Sequence, residues 1–345
     1  MKKLMKVKNQ SGGLILEEAK ILHPSFGEVL VKINAAAICG TDLHIYDWNQ
    51  WAADKYGDKL PMPLGHEFCG EVVEVGEGIT GFKKGDRVAG ETHLGCGICN
   101  QCMQGRPHTC KNLGLFSQSN AGCFSEYTTV PAGFLMKVPS ALSDEEGAIL
   151  EPLGVAVRAV NDADVSGKKV LVLGCGPIGL FAIVVAKALG ALKVFAADTS
   201  PYRVELASKL GADEVINSME VSLSNQIIEL TEGEGVHSLV EFTGNPTAIK
   251  DGFKCLQSGG KYVCVGLPSR PVEVDIAKDI VTREIEMKGN YGRLIPETWY
   301  LTEELLISKK INVKPIITHC MALDDYEQAF SLANSKECGK ILFKP

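Results

Sequence analysis

Four cysteines at 96, 99, 102 and 110, in GCGICNQCMQGRPHTC, are separated by gaps of two, two and seven residues. Two-residue gaps let a tight turn aim successive thiolates at one ion, and four soft thiolates complete the tetrahedron that zinc prefers. Gly95, Gly97 and Gly105 allow the backbone to fold that closely. All four positions are filled by protein, so the expected site is closed and structural. An iron–sulfur cluster is the rival reading, but in ferredoxin-type runs the fourth cysteine follows after three residues and precedes a proline. Here Cys110 precedes Lys111.

A second donor set is spread along the chain: Cys39, His66, Glu67 and Glu151. Sulfur, imidazole and carboxylate suit a zinc ion that keeps one position for water or substrate. Taken singly, His66 reads as an ordinary hydrogen-bonded histidine and Cys39 as a small buried hydrophobe. Their joint occurrence with a cofactor motif favours the metal reading. Thr41 and His44 follow in CGTDLH, where a hydroxyl and an imidazole could pass a proton from a buried site to water.

The cofactor motif lies in VLVLGCGPIGLFAIVVAKALGALKVFAADTS, residues 170–200. A β-branched run, Val170 to Leu173, leads into G-x-G-x-x-G at Gly174, Gly176 and Gly179. An apolar helix follows, then a second strand ending at Asp198, 19 residues beyond the last glycine. This is a dinucleotide fingerprint in its required strand–turn–helix context. Asp198 should bind the adenosine ribose hydroxyls and favour NAD over NADP, although Arg203 could accommodate a 2′-phosphate. Further strand-like runs at 237–244, 261–268 and 284–292 predict a parallel sheet, with ligands at the carboxyl ends of its strands. That places Thr243 and Gly244, Val265, Gly266 and Leu267, and Asn290 and Tyr291 on the nicotinamide side.

The elements that must position these residues follow from the order of motifs. The chain has 345 residues, enough for two cores, and is 45% hydrophobic and 22% charged, which argues against disorder. Thirty-five Lys+Arg against 42 Asp+Glu give a net charge of −7, which repels phosphate backbones and speaks against a nucleic-acid partner. No apolar run approaches a membrane span, and the basic start lacks an apolar signal region. Cytoplasmic location is expected, with no membrane partner. The fold class is α/β: a doubly wound parallel sheet domain over 155–293, and a partly barrel-like β domain built from 1–154 and 294–345. The active site is expected in the cleft between them.

The stretches GHEFCGEVVEVG, KKGDRVAG, GCFSEYTTVP and GCGPIG, together with the cysteine lobe, resemble the zinc-dependent medium-chain dehydrogenase/reductase superfamily over essentially the whole chain. The resemblance implies a GroES-like catalytic domain and a Rossmann-type NAD domain. It implies Cys39, His66 and Glu67 as catalytic-zinc ligands, and Glu151 as an exchangeable fourth ligand or relay member. It further implies Thr41 and His44 as the proton relay, Cys96, Cys99, Cys102 and Cys110 as the structural zinc site, and His93 on the substrate side. Ile178, Asp198, Arg203 and the strand ends at 265–267 and 290–291 would contact NAD. Two zinc ions per chain and a homotetramer or dimer follow in the same way. ICGTDLHIYDWNQWA, GETHLGCG and YGRLIPETWY resemble the branch of the superfamily that acts on threonine. Glu151-Pro-Leu-Gly-Val155 departs from that branch, which usually carries Asn in this motif, and resembles polyol dehydrogenases more. The implied reaction is therefore oxidation of a secondary alcohol, L-threonine or else a polyol or diol.

Overall fold

The computed structural model describes residues 1–116, 121–268 and 270–345. Two sheets organise them. The first has seven strands in a path running Leu135–Lys137, Arg87–Gly90, Glu67–Val75, Glu28–Ala37, Lys340–Lys344 and Ile317–Ala322, with Tyr127–Pro131 also paired to Glu28–Ala37. The long strand Glu28–Ala37 is the hub. Its last residues face Glu67 across one ladder (Ala37 opposite Glu67) and Leu342 across the other. Chain segments about 300 residues apart in sequence thus meet beside Cys39.

The second sheet is wholly parallel and is ordered Glu214–Asn217, Lys193–Asp198, Lys169–Leu173, Val236–Glu241, Leu256–Cys264 and Glu286–Gly289. Numbered along the chain this is 3-2-1-4-5-6, the doubly wound order whose switch point lies between the first and fourth strands. The central strand Lys169–Leu173 is apolar from Val170 onward, as expected of a strand covered by helices on both faces. Val170, Leu171 and Val172 are fully buried, and each such side chain contributes roughly 1.5–3 kcal/mol of burial free energy.

Helix starts follow from local chemistry. Ser200 caps Pro201–Lys209 by accepting from Arg203 N, and Asn245 caps Pro246–Cys255 by accepting from Thr247 N and Ala248 N. Each helix carries Pro at its start, where the missing N–H costs nothing.

One helix ties the sheets together. Leu150–Asp162 buries Leu153, Val157 and Val160 in a core that also holds Ala35 and Cys69 from the first sheet and Val172 from the second. Glu151 sits in its first turn and is therefore held at the junction.

Candidate active site

Gly40–Asp47 forms a helix whose N-cap is Cys39, so the thiol is presented at the end of Glu28–Ala37. Asp42, buried in that first turn, accepts from Cys39 N at 2.9 Å, and its other oxygen lies 3.8 Å from His66 Nδ1. His66 and Glu67 enter at the head of the Glu67–Val75 strand. One ligand atom each from Cys39, His66 and Glu67 falls within 4.8 Å of the others.

The electrostatics favour a cation. Burial disfavours a charged His66 ring, yet Cys39, Asp42 and Glu67 outweigh it and push the ring up to about 10. Glu67 Oε1 is buried with no hydrogen-bond partner among the described residues. A buried carboxylate oxygen left without a partner is costly unless something takes its lone pairs. The set of one thiol, one imidazole and one carboxylate therefore fits a zinc ion with a fourth position open to water or substrate.

Two buried cations face the carboxylates near this set, Lys340 at Glu67 and Arg293 at both Glu151 and Glu91. Lys340 Nζ lies 2.5 Å from Glu67 Oε2 and donates to Ile38 O at 2.8 Å. Burial works against the charged amine, but Glu67 outweighs it and raises Lys340. Glu151 stands outside the three-residue group. Its Oε1 accepts from Thr92 Oγ1 and from Arg293 Nη1, the latter at 2.6 Å. Arg293, 1% exposed, also grips Glu91 through Nε at 2.8 Å and through Nη2. His93 borders this cluster. Its N donates to Glu91 Oε1 at 3.0 Å, and its ring meets the Tyr291 ring edge-on at 5.1 Å.

Thr41 is half-buried and His44 exposed on the Gly40–Asp47 helix. The four lobe cysteines offer ligand atoms within 4.8 Å of one another, as a shared tetrahedral site requires. Cys99 lies 3.6 Å from Cys102 and 3.7 Å from Cys110, sulfur to sulfur. Backbone N–H groups of Cys102 and Lys111 bring the Cys99 thiol down to about 6, toward the thiolate a metal needs.

Part of the expected cofactor set gathers at the switch point. Gly174, Gly176, Asp198, Arg203 and Thr243 line a cavity of about 580 Å³. Gly174 has φ +96°, and a Cβ on Gly179 would stand 1.8 Å from Gly174 O, so both glycines are required by the turn. A Cβ on Gly176 would meet only Arg203, at 3.9 Å, which leaves the room a pyrophosphate needs at this helix start. Asp198 Oδ2 accepts from Cys175 N at 2.7 Å and Oδ1 from Thr199 N and Ser200 N. Arg203 Nε has no partner among the described residues. Ile178 stands in the first turn of the Pro177–Ala188 helix. Val265 and Gly266 donate their N–H groups to Glu241 O, and Leu267 beyond them is exposed. Asn290 donates from Nδ2 to Asp162 at 3.0 Å, and its buried Oδ1 has no partner among the described residues.

Asp42, Glu91, Thr92, Arg293 and Lys340 were not reached by sequence reasoning. Asp42 stands inside CGTDLH and Arg293 inside YGRLIPETWY, so a buried-charge role could be sought there; nothing local marks Lys340.

Residues 25–140 match the family described as "Alcohol dehydrogenase GroES-like domain", and residues 177–308 match "Zinc-binding dehydrogenase". The chain belongs to the zinc-binding alcohol dehydrogenases of the medium-chain dehydrogenase/reductase superfamily, and it is a zinc-dependent dehydrogenase. It is 42% identical to an L-threonine 3-dehydrogenase from Pyrococcus abyssi, over 99% of this chain and 97% of that one. Among solved structures, 2R,3R-butanediol dehydrogenase from Bacillus subtilis is 32% identical with a TM-score of 0.87, covering 100% of this chain and 99% of that one. An alcohol dehydrogenase from Escherichia coli CFT073 complexed with NADH is 30% identical with a TM-score of 0.89, at the same coverage. No helix among the described residues is long and apolar enough to cross a membrane.

Proposed function

We propose that this chain oxidises the secondary hydroxyl of L-threonine to 2-amino-3-oxobutanoate, reducing NAD to NADH. The observation that carries the reading is the Cys39–His66–Glu67 group, with His66 and Glu67 buried and Glu67 Oε1 left unpartnered, in a chain 42% identical to a threonine dehydrogenase along its length. Zinc bound there would supply a Lewis acid that makes the alcohol more acidic, and NAD would take the hydride.

The chain's own residues do the rest. Cys39, His66 and Glu67 hold the catalytic ion, and Cys96, Cys99, Cys102 and Cys110 hold a second, structural one. Lys340 fixes the outer oxygen of Glu67 so that Oε1 faces the site. Arg293 and Thr92 hold Glu151, and release from Arg293 would free its carboxylate as an exchangeable fourth ligand. The alcohol proton leaves through Thr41 and His44 to water. Asp198 favours NAD, because a 2′-phosphate would meet its negative charge. Asp162 holds Asn290 by its Nδ2, and the Asn290 Oδ1 stays open to accept from the nicotinamide side. The catalytic unit is residues 1–154 with 294–345, the NAD unit 155–293, in a cytoplasmic homo-oligomer.

A second reading has its own support. A butanediol dehydrogenase shares the fold at 32% identity, and Val155, in the helix that carries Glu151, offers no hydrogen bond to an amino-acid substrate. The test is NADH formation from L-threonine in parallel with sorbitol, xylitol and 2,3-butanediol. A kcat/KM highest on threonine supports the proposal. A higher value on a polyol or diol replaces the substrate while leaving the chemistry in place.

A further inference from the structure

The segment WNQWA, residues 48–52, belongs to a threonine-type stretch for which the account above has no use, yet it holds His44 from two directions. The Gly40–Asp47 helix ends at Trp48 in the left-handed region, φ 52°, and the chain reverses. Asn49 then donates its backbone N–H to His44 O at 3.3 Å. It also caps the next helix, Gln50–Tyr56, its Oδ1 accepting from Ala52 N at 3.0 Å.

That cap settles which way the amide faces. With the oxygen committed to an N–H donor, the NH2 group is the end that reaches His44, and Nδ2 lies 2.8 Å from His44 Nδ1. An amide NH2 can only donate, so Nδ1 must accept, and the neutral ring carries its proton on Nε2. Trp51 lies beside the ring, 5.7 Å between centroids and tilted by 59°, with Lys55 Nζ 4.9 Å from the Trp51 ring centroid. On the histidine's own helix, Asp47 accepts from Asn334.

We infer that Asn49 is a positioning residue that fixes the tautomer of His44, with Nδ1 as acceptor and Nε2 as donor; the inference rests on the relay reading of His44. Two consequences follow for a proton in transit. The ring can take it only at Nδ1, and Asn49 must then give way, because two donors would face each other. The Nδ1–H bond formed in that step breaks when water takes the proton, which restores the Asn49 bond and leaves Nε2–H unchanged throughout.

Asn49→Asp separates this role from the cap. Aspartate caps a helix as well as asparagine does, but it places a charged acceptor where the donor stood. The acid limb of the kcat/KM profile should move up by about one pH unit, as a carboxylate beside an imidazole dictates. Zinc content and helical circular dichroism should not change. Asn49→Ser, which keeps a cap and adds no charge, should give no upward move. In a His44→Gln background the Asn49→Asp shift should vanish. An unchanged profile in Asn49→Asp overturns the inference, as does a shift that survives in His44→Gln. If His44→Gln alone is fully active, the relay reading fails instead. The tautomer is then judged by the ¹⁵N shifts of the His44 ring, where a proton on Nδ1 in the parent protein overturns the inference and an unprotonated Nδ1 supports it.

Discussion

Arg293 Nη1 lies 2.6 Å from Glu151 Oε1, with the two side chains buried and 142 residues apart in sequence. The same guanidinium is bonded to Glu91, so one cation neutralises two carboxylates beside the candidate metal site. Burial works against the charged guanidinium, and the two carboxylates overcome it and raise Arg293. A buried ion pair is weak evidence of net stability, but removing one partner leaves the other charge stranded.

Arg293→Met should therefore destabilise the protein by about 3–5 kcal/mol, the usual cost of breaking a buried pair. Urea unfolding checks it. A loss under 1 kcal/mol would mean that water or rearrangement satisfies Glu91 and Glu151.

Glu91 gives the acid limb of stability. Burial pushes its carboxyl up, but Arg293 and His93 prevail and hold it at about 2 against an ordinary 4.5. A depressed pKa contributes stability that is present above the unfolded value and is lost as pH falls through the folded one. Stability should fall between about pH 5 and pH 2, by about 3 kcal/mol from this group. In Glu91→Gln the slope over that window should flatten, as followed by thermal melts. An unchanged slope would refute the assignment.

Asp198 offers two oxygens to backbone N–H groups and lines the cofactor cavity. Asp198→Asn keeps the shape and removes the charge. Hydrogen bonds to charged groups are worth about 1.5–3 kcal/mol, so KM for NAD should rise about tenfold or more, while KM for NADP rises less or falls. Steady-state kinetics with both cofactors decides, and equal effects would remove Asp198 from cofactor choice.

What the sequence made legible is what local spacing encodes. The four-cysteine lobe and the strand–glycine–helix–strand run to Asp198 are each contiguous, and the chemistry dictates both spacing and residue type. Cys39, His66 and Glu67 could be named but not assembled, because the ladder that sets Ala37 opposite Glu67 joins strands 30 residues apart. The cations of the site were hidden for the same reason. Lys340 reaches Glu67 only because the Lys340–Lys344 strand returns to pair with Glu28–Ala37, and Arg293 reaches Glu151 across the junction helix. A lysine near the end of a chain reads as solvated surface until the fold buries it.

The most direct test of the account is zinc content measured together with turnover in the parent protein and in His66→Ala. The parent should hold two zinc ions per chain. His66→Ala should hold one, in the cysteine lobe, with alcohol oxidation abolished and NAD binding retained. One ion in the active parent, or turnover surviving in His66→Ala, would contradict a catalytic metal site at Cys39, His66 and Glu67.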